Sequence, residues 1–105
     1  MHIQIVTFQL KDLSEEDYFD ICSQLAPNFA DIPGLISKVW LADRESGTYG
    51  GVYTWRDHAA MEAFATTDLF ASVAKNPNLL GLTSTDFGVL EGPSAVTRGL
   101  AAVTA

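Results

Sequence analysis

Apolar residues recur along this chain in two rhythms, one of period two and one close to 3.6. Over His2–Leu10 the residues Ile3, Ile5, Val6, Phe8 and Leu10 are apolar at both parities of an extended chain, which predicts a central strand covered on both faces. Ser14 is placed to cap a helix whose first turn carries Glu15, Glu16 and Asp17, matched to the positive end of the helix dipole. Tyr18, Ile21, Cys22, Leu25 and Phe29 then form a single apolar stripe. Pro27 falls inside this helix and is expected to kink it, because its ring clashes with the carbonyl of Ser23; Pro33-Gly34 ends it. Residues 35–42 and 49–55 read as two strands of a hairpin joined by a polar segment containing Ser46-Gly47. Gly50-Gly51 inside the second strand marks a bulge or a close approach by another group. Asp57 can cap a further helical region with Ala60, Met61 and Phe64, which Thr66-Thr67-Asp68 interrupts before Leu69, Phe70 and Val73 resume it. Asn76-Pro77 stops it, and residues 79–90 read as a last strand whose limits Gly81 and Gly88 blur.

The order βαββαβ is the ferredoxin-like plan, an α+β fold with one four-stranded antiparallel sheet and both helices on one face. The other face cannot be left to water: Ile3 and Ile5 oppose Val6 and Phe8 in parity, and Val39 and Leu41 oppose Trp40. A second sheet from an identical chain is the economical cover, which predicts a homodimer. Residues 1–92 are expected to form the domain, and Gly92-Pro93 opens a mildly apolar tail, 93–105, either frayed or packed on the partner subunit.

Composition narrows the chemistry. Thirteen acids against six bases give a formal charge of −7, spread along the chain without any cluster of Lys and Arg. Nucleic acid is therefore excluded as a partner, and the acids read as a solvated surface. Cys22 is the single cysteine, so no intrachain disulfide can form. Met-His-Ile-Gln does not begin a signal peptide, and no apolar run approaches the roughly 20 residues of a membrane span, so a cytoplasmic protein is expected. Two separated histidines and dispersed carboxylates give no metal-ligand spacing, and no G-x-G-x-x-G, Walker or G-x-S-x-G pattern occurs. No metal or organic cofactor is expected.

Pro33-Gly34-Leu35, then Lys38-Val39-Trp40, then Gly50-Gly51-Val52-Tyr53 resemble the YdhR-type family of proposed monooxygenases. That family lies in the dimeric α+β barrel superfamily, beside the antibiotic-biosynthesis monooxygenases, and the resemblance runs from the Pro-containing first helix through the last strand. It implies a homodimer whose two sheets close around a cavity. Relatives oxidise anthrone-type phenols with dioxygen and no cofactor, cyclise polyketides, isomerise lactones or degrade haem, so the scaffold is fixed far better than the reaction. Many antibiotic-biosynthesis monooxygenases carry a His in the second helical region where this chain has Phe64, and a mechanism resting on that His does not transfer.

Lys38 and Trp40 share one parity of their strand, and a charge is disfavoured in a helix-covered core, so both are expected on the inter-sheet side. There Trp40 either packs in the dimer interface or forms an aromatic wall, and Lys38 either pairs with an acid at the rim or stabilises a phenolate. Tyr53 either hydrogen-bonds a substrate oxygen or is a core aromatic, and Trp55, at the strand end, leans to the core. His58 sits in a first helical turn, usually a solvated position, although imidazole suits acid–base work where a pocket exists; His2 is terminal. The expected function is a cofactor-independent monooxygenase for a phenolic or polycyclic, polyketide-like aromatic held between the sheets. Tyr53, Lys38 and His58 are its catalytic candidates, and Trp40, Trp55 and Phe8 its substrate-binding candidates. A cyclase or isomerase on the same scaffold, or a dimer that only binds an apolar ligand, are the rivals; haem breakdown lacks an evident axial ligand.

Overall fold

The computed structural model describes residues 1–100. In chain order they form β1 (His2–Leu10), α1 (Glu15–Ala30), β2 (Leu35–Asp43), β3 (Thr48–Trp55), α2 (His58–Phe64), α3 (Asp68–Ala74), β4 (Leu79–Gly88) and α4 (Glu91–Val96). The strands make one antiparallel sheet in the order β2-β3-β1-β4. This is the ferredoxin-like plan with the central strand where its two-sided apolar pattern places it.

Helices α1, α2 and α3 each start where a side chain takes up a free amide. The Ser14 hydroxyl accepts from the Asp17 amide at 3.1 Å, and the Asp57 carboxylate accepts from the Ala60 amide at 2.8 Å, which holds Asp57 below the usual carboxylate range. Thr66-Thr67 proves to be a boundary: Thr67 accepts from the Phe70 amide at 3.2 Å and starts a separate helix, α3. α1 runs through Pro27 to Ala30, and its last turn carries Phe29 into the core, where burial offsets the lost backbone bond. β4 ends at Gly88, two residues short of the expected limit. A short helix, Glu91–Val96, crosses the expected boundary between domain and tail at residue 92; residues 101–105 of the tail lie outside the described residues.

The core lies between the sheet and the helices and is largely aromatic. Phe64 meets the rings of Phe29, Tyr53 and Trp55 with centroids 6.0, 5.8 and 5.3 Å apart, so it serves as packing where relatives are expected to carry a His. Trp55 is fully buried, and its indole N–H donates to Gln4 Oε1 at 3.0 Å. The Gln4 amide in turn donates to Ser84 Oγ at 2.9 Å, so this buried polar chain is satisfied from β3 through β1 to β4.

Gly50 permits the sheet to form. Its φ is +153°, and a Cβ there would lie 1.9 Å from the carbonyl oxygen of Val6 on the neighbouring β1. Gly50→Ala should therefore lower stability by about 3 kcal/mol, read as a shifted urea midpoint, since both the backbone and the strand spacing must adjust. A midpoint within error of the parent would show that the strands accommodate the methyl group.

Candidate active site

Even-numbered β2 residues pair with odd-numbered β3 residues: Lys38 lies opposite Tyr53 and Trp40 opposite Gly51. Tyr53 is buried on the helix-covered side, and Lys38 and Trp40 share that side. This corrects the expectation that both would face a second sheet; Val39 and Leu41 take that face. The rule against a charge in the core fails here for a physical reason. The apolar stem of Lys38 passes over Gly51, where a Cβ would come within 2.7 Å of Cε. The Nζ then reaches three ring faces, 3.4 Å from the Trp40 centroid, 3.5 Å from that of Phe29 and 4.7 Å from that of Tyr53. Among the described residues no carboxylate lies within ion-pair distance of it.

These groups line a cavity of about 170 Å³ between the sheet and helices α1 and α3, inside one protomer rather than between two sheets. Lys38, Trp40, Tyr53 and Phe8 are all on its wall, joined by Tyr18 and Cys22 from α1 and by Asn76 after α3. Trp55 and His58 are not. Trp55 stacks behind Tyr53, with the two rings nearly parallel at 5.8 Å, and supports it. His58 stands at the exposed start of α2, near His2, Asp86 and Glu62.

Burial sets the ionisation inside the cavity. Removal from water pushes the Lys38 ammonium down to about 7, against a smaller opposing pull from Cys22. Burial likewise pushes the phenols of Tyr53 and Tyr18 and the thiol of Cys22 upward, so these neighbours stay neutral at pH 7. The arrangement supplies one amine poised between its two charge states, in an aromatic shell with hydroxyl and thiol groups. Tyr18 and Cys22 were hidden in the sequence because a Tyr and a Cys four residues apart on an apolar helical stripe look the same whether they fill a core or line a cavity.

A ferredoxin-like sheet with an apolar cavity on its helical side defines a class of small α+β scaffolds. The sequence matches the family described as "Putative mono-oxygenase ydhR" over residues 3–100, and the chain belongs to that family. Among solved structures, an antibiotic biosynthesis monooxygenase superposes with a TM-score of 0.70 at 16% identity, over 86% of this chain and 99% of the other. SnoaB of Streptomyces nogalater, a cofactor-independent oxygenase, gives 0.65 at 19% identity, over 86% and 94%. MhuD of Mycobacterium tuberculosis, a haem degrader with two haems in its active site, gives 0.69 at 19% identity, over 86% and 95%. At these identities the likeness establishes the fold. No curated protein matches the sequence.

Proposed function

We propose that the protein is a monooxygenase that uses Lys38 to deprotonate a phenolic or polycyclic aromatic, polyketide-like substrate and lets the resulting anion react with dioxygen. The observation that carries this reading is a buried amine enclosed by Phe29, Trp40 and Tyr53 with no carboxylate partner among the described residues, where burial lowers its pKa to about 7. Neutral Lys38 takes the acidic proton of the ring system, and the ammonium it becomes stabilises the anion across a medium that excludes water. The neutral Tyr53 hydroxyl is available to donate to a substrate oxygen. For an anthrone the balance closes without a reductant: the methylene carbon becomes a carbonyl, one atom of dioxygen enters the product, and the other leaves as water.

Trp40 also bears on substrate size. It separates the cavity from an open groove of about 310 Å³ along α1 and β2, and Tyr18, Cys22 and Trp40 border both. The cavity alone is smaller than the ~300–1,000 Å³ usual for small-molecule sites, so a three-ring substrate needs the indole to swing aside and join the two spaces. Haem fits this wall poorly: it offers no imidazole, and its only soft donor, Cys22, is pushed toward the neutral thiol. Function as a homodimer is part of the proposal, supported by the apolar character of the open sheet face.

Oxygen uptake by the protein with anthrone under air should exceed the uncatalysed rate, with one dioxygen consumed per quinone formed. No acceleration across several anthrones and naphthols would sink the oxygenase reading. Product that accumulates equally without oxygen would point instead to a cyclase or isomerase.

A further inference from the structure

We propose that His2, His58 and Asp86 form a binding site for a divalent transition-metal ion of the Zn²⁺ type, separate from the cavity and independent of the oxygenase reading. The three residues come from different elements: the first position of β1, the first of α2, and β4. Their spacing along the chain conceals what the sheet brings together, because β1 pairs with β4 so that Gln4 meets Asp86 and the start of β1 lies beside it.

Both imidazoles turn Nε2 toward the same carboxylate oxygen. His2 Nε2 lies 2.6 Å from Asp86 Oδ2 and His58 Nε2 lies 4.0 Å from it, with the three ligand atoms all within 4.8 Å of one another. A four-coordinate ion with bonds of about 2.1 Å sets its donors roughly 3.4 Å apart, between those two separations, so small side-chain rotations suffice. The rings meet edge to face, 80° apart with centroids at 4.8 Å, which lets both point inward without stacking.

A second feature points the same way. Glu62, one turn further along α2, places Oε1 at 2.5 Å from His58 Nδ1. A carboxylate there holds the proton on Nδ1 and leaves the Nε2 lone pair for a metal, the arrangement that most metal-binding histidines share. Two imidazoles with one carboxylate favour Zn²⁺, Ni²⁺ or Cu²⁺ over Mg²⁺ or Ca²⁺. His2 is largely buried, whereas His58 and Asp86 are exposed, so the ion has an entry path and at least one coordination position for water.

The competing account is two ordinary hydrogen-bonded pairs, His2 with Asp86 and His58 with Glu62. Calorimetric titration of untagged, chelator-stripped protein with ZnCl₂ separates the two. One ion per chain should bind with a Kd below about 10 µM. His58→Ala and Asp86→Asn should each weaken binding by roughly tenfold or more, and Glu62→Gln by a smaller factor. These exposed substitutions should leave the fold intact by circular dichroism, and Co²⁺ in place of Zn²⁺ should give visible d–d absorption that Asp86→Asn changes. Absence of saturable Zn²⁺ binding, or binding that all three substitutions leave unchanged, would overturn the proposal in favour of the two pairs.

Discussion

Lys38→Met should make the protein nearly inactive toward anthrone and, at the same time, more stable. The loss of activity follows from removing the one amine that the described residues place on the cavity wall: turnover at pH 8 should fall by about 10³-fold, the scale on which isolated charge-stabilising groups act in water-excluded sites. In the parent, activity should climb as the pH rises through about 7, because the amine must be neutral to accept a proton. Cys22, Tyr18 and Tyr53, which face it, are all held neutral in this range and add no step of their own. The variant should lose that step.

The gain in stability has the opposite origin. Lys38 has an ordinary value of 10.5 and titrates near 7 in the folded protein, so burial disfavours its charged form. Below pH 7 it is protonated in both states, and the folded state bears the full penalty of the enclosed charge. Between about 7 and 10.5 the folded amine is neutral while the unfolded chain still holds the proton, so parent stability rises with pH through that window. The advantage of Met, whose unbranched stem fits the same path over Gly51, should thus be greatest at pH 6 and fade toward pH 10. At pH 6 a rise in Tm of about 5 °C is expected. A variant that loses activity and stability together would mark Lys38 as a packing residue, and unchanged turnover would remove it from the mechanism.

The placement of Lys38 also shows where reading from the sequence reaches its limit. Strands, caps and the helix–helix break at Thr67 follow from patterns of near neighbours, and such patterns are visible in a linear chain. The paired parities of β2 and β3 are visible too, but which parity faces the helices depends on what else lies there. The cost of burying charge assigns a lysine to the outer side, whereas the structure houses its amine among three aromatic faces from α1, β2 and β3 and carries the remaining cost as a lowered lysine pKa. Only Trp40 and Tyr53 of those rings could be placed near Lys38 by register; Phe29 needed the helix packing. His58 is the converse case. Its place just after the Asp57 cap reads in the sequence as a solvated first turn, and α2 holds it at that exposed end, away from the cavity where its catalytic candidacy would need it. Its neighbours His2 and Asp86 arrive through strand pairing that local spacing does not reveal.

The opposite face of the sheet carries the other large expected effect. Val39 and Phe87 are each 59% exposed on the two edge strands, with Ile5 and Val52 paired between them on the central strands. The positions between are mostly threonines, so the middle of this face bears no charge to oppose a partner. If a second copy covers it, a carboxylate at Val39 or at Val52 is buried unpaired twice per dimer, once from each chain, at a cost of several kcal/mol. Val39→Glu and Val52→Glu should each shift the mass measured by light scattering from twice 11.3 kDa to 11.3 kDa at micromolar concentration. The parent's Tm should rise with protein concentration, and that of the variants should not. A parent that is already monomeric, or variants that remain dimeric, would remove this face as the interface. Because Lys38, Trp40 and Tyr53 all lie on the helical side of their own protomer, the separated chains should keep the cavity. Turnover per chain should then fall far less than in Lys38→Met, which would make the partner a support for the sheet rather than a wall of the site.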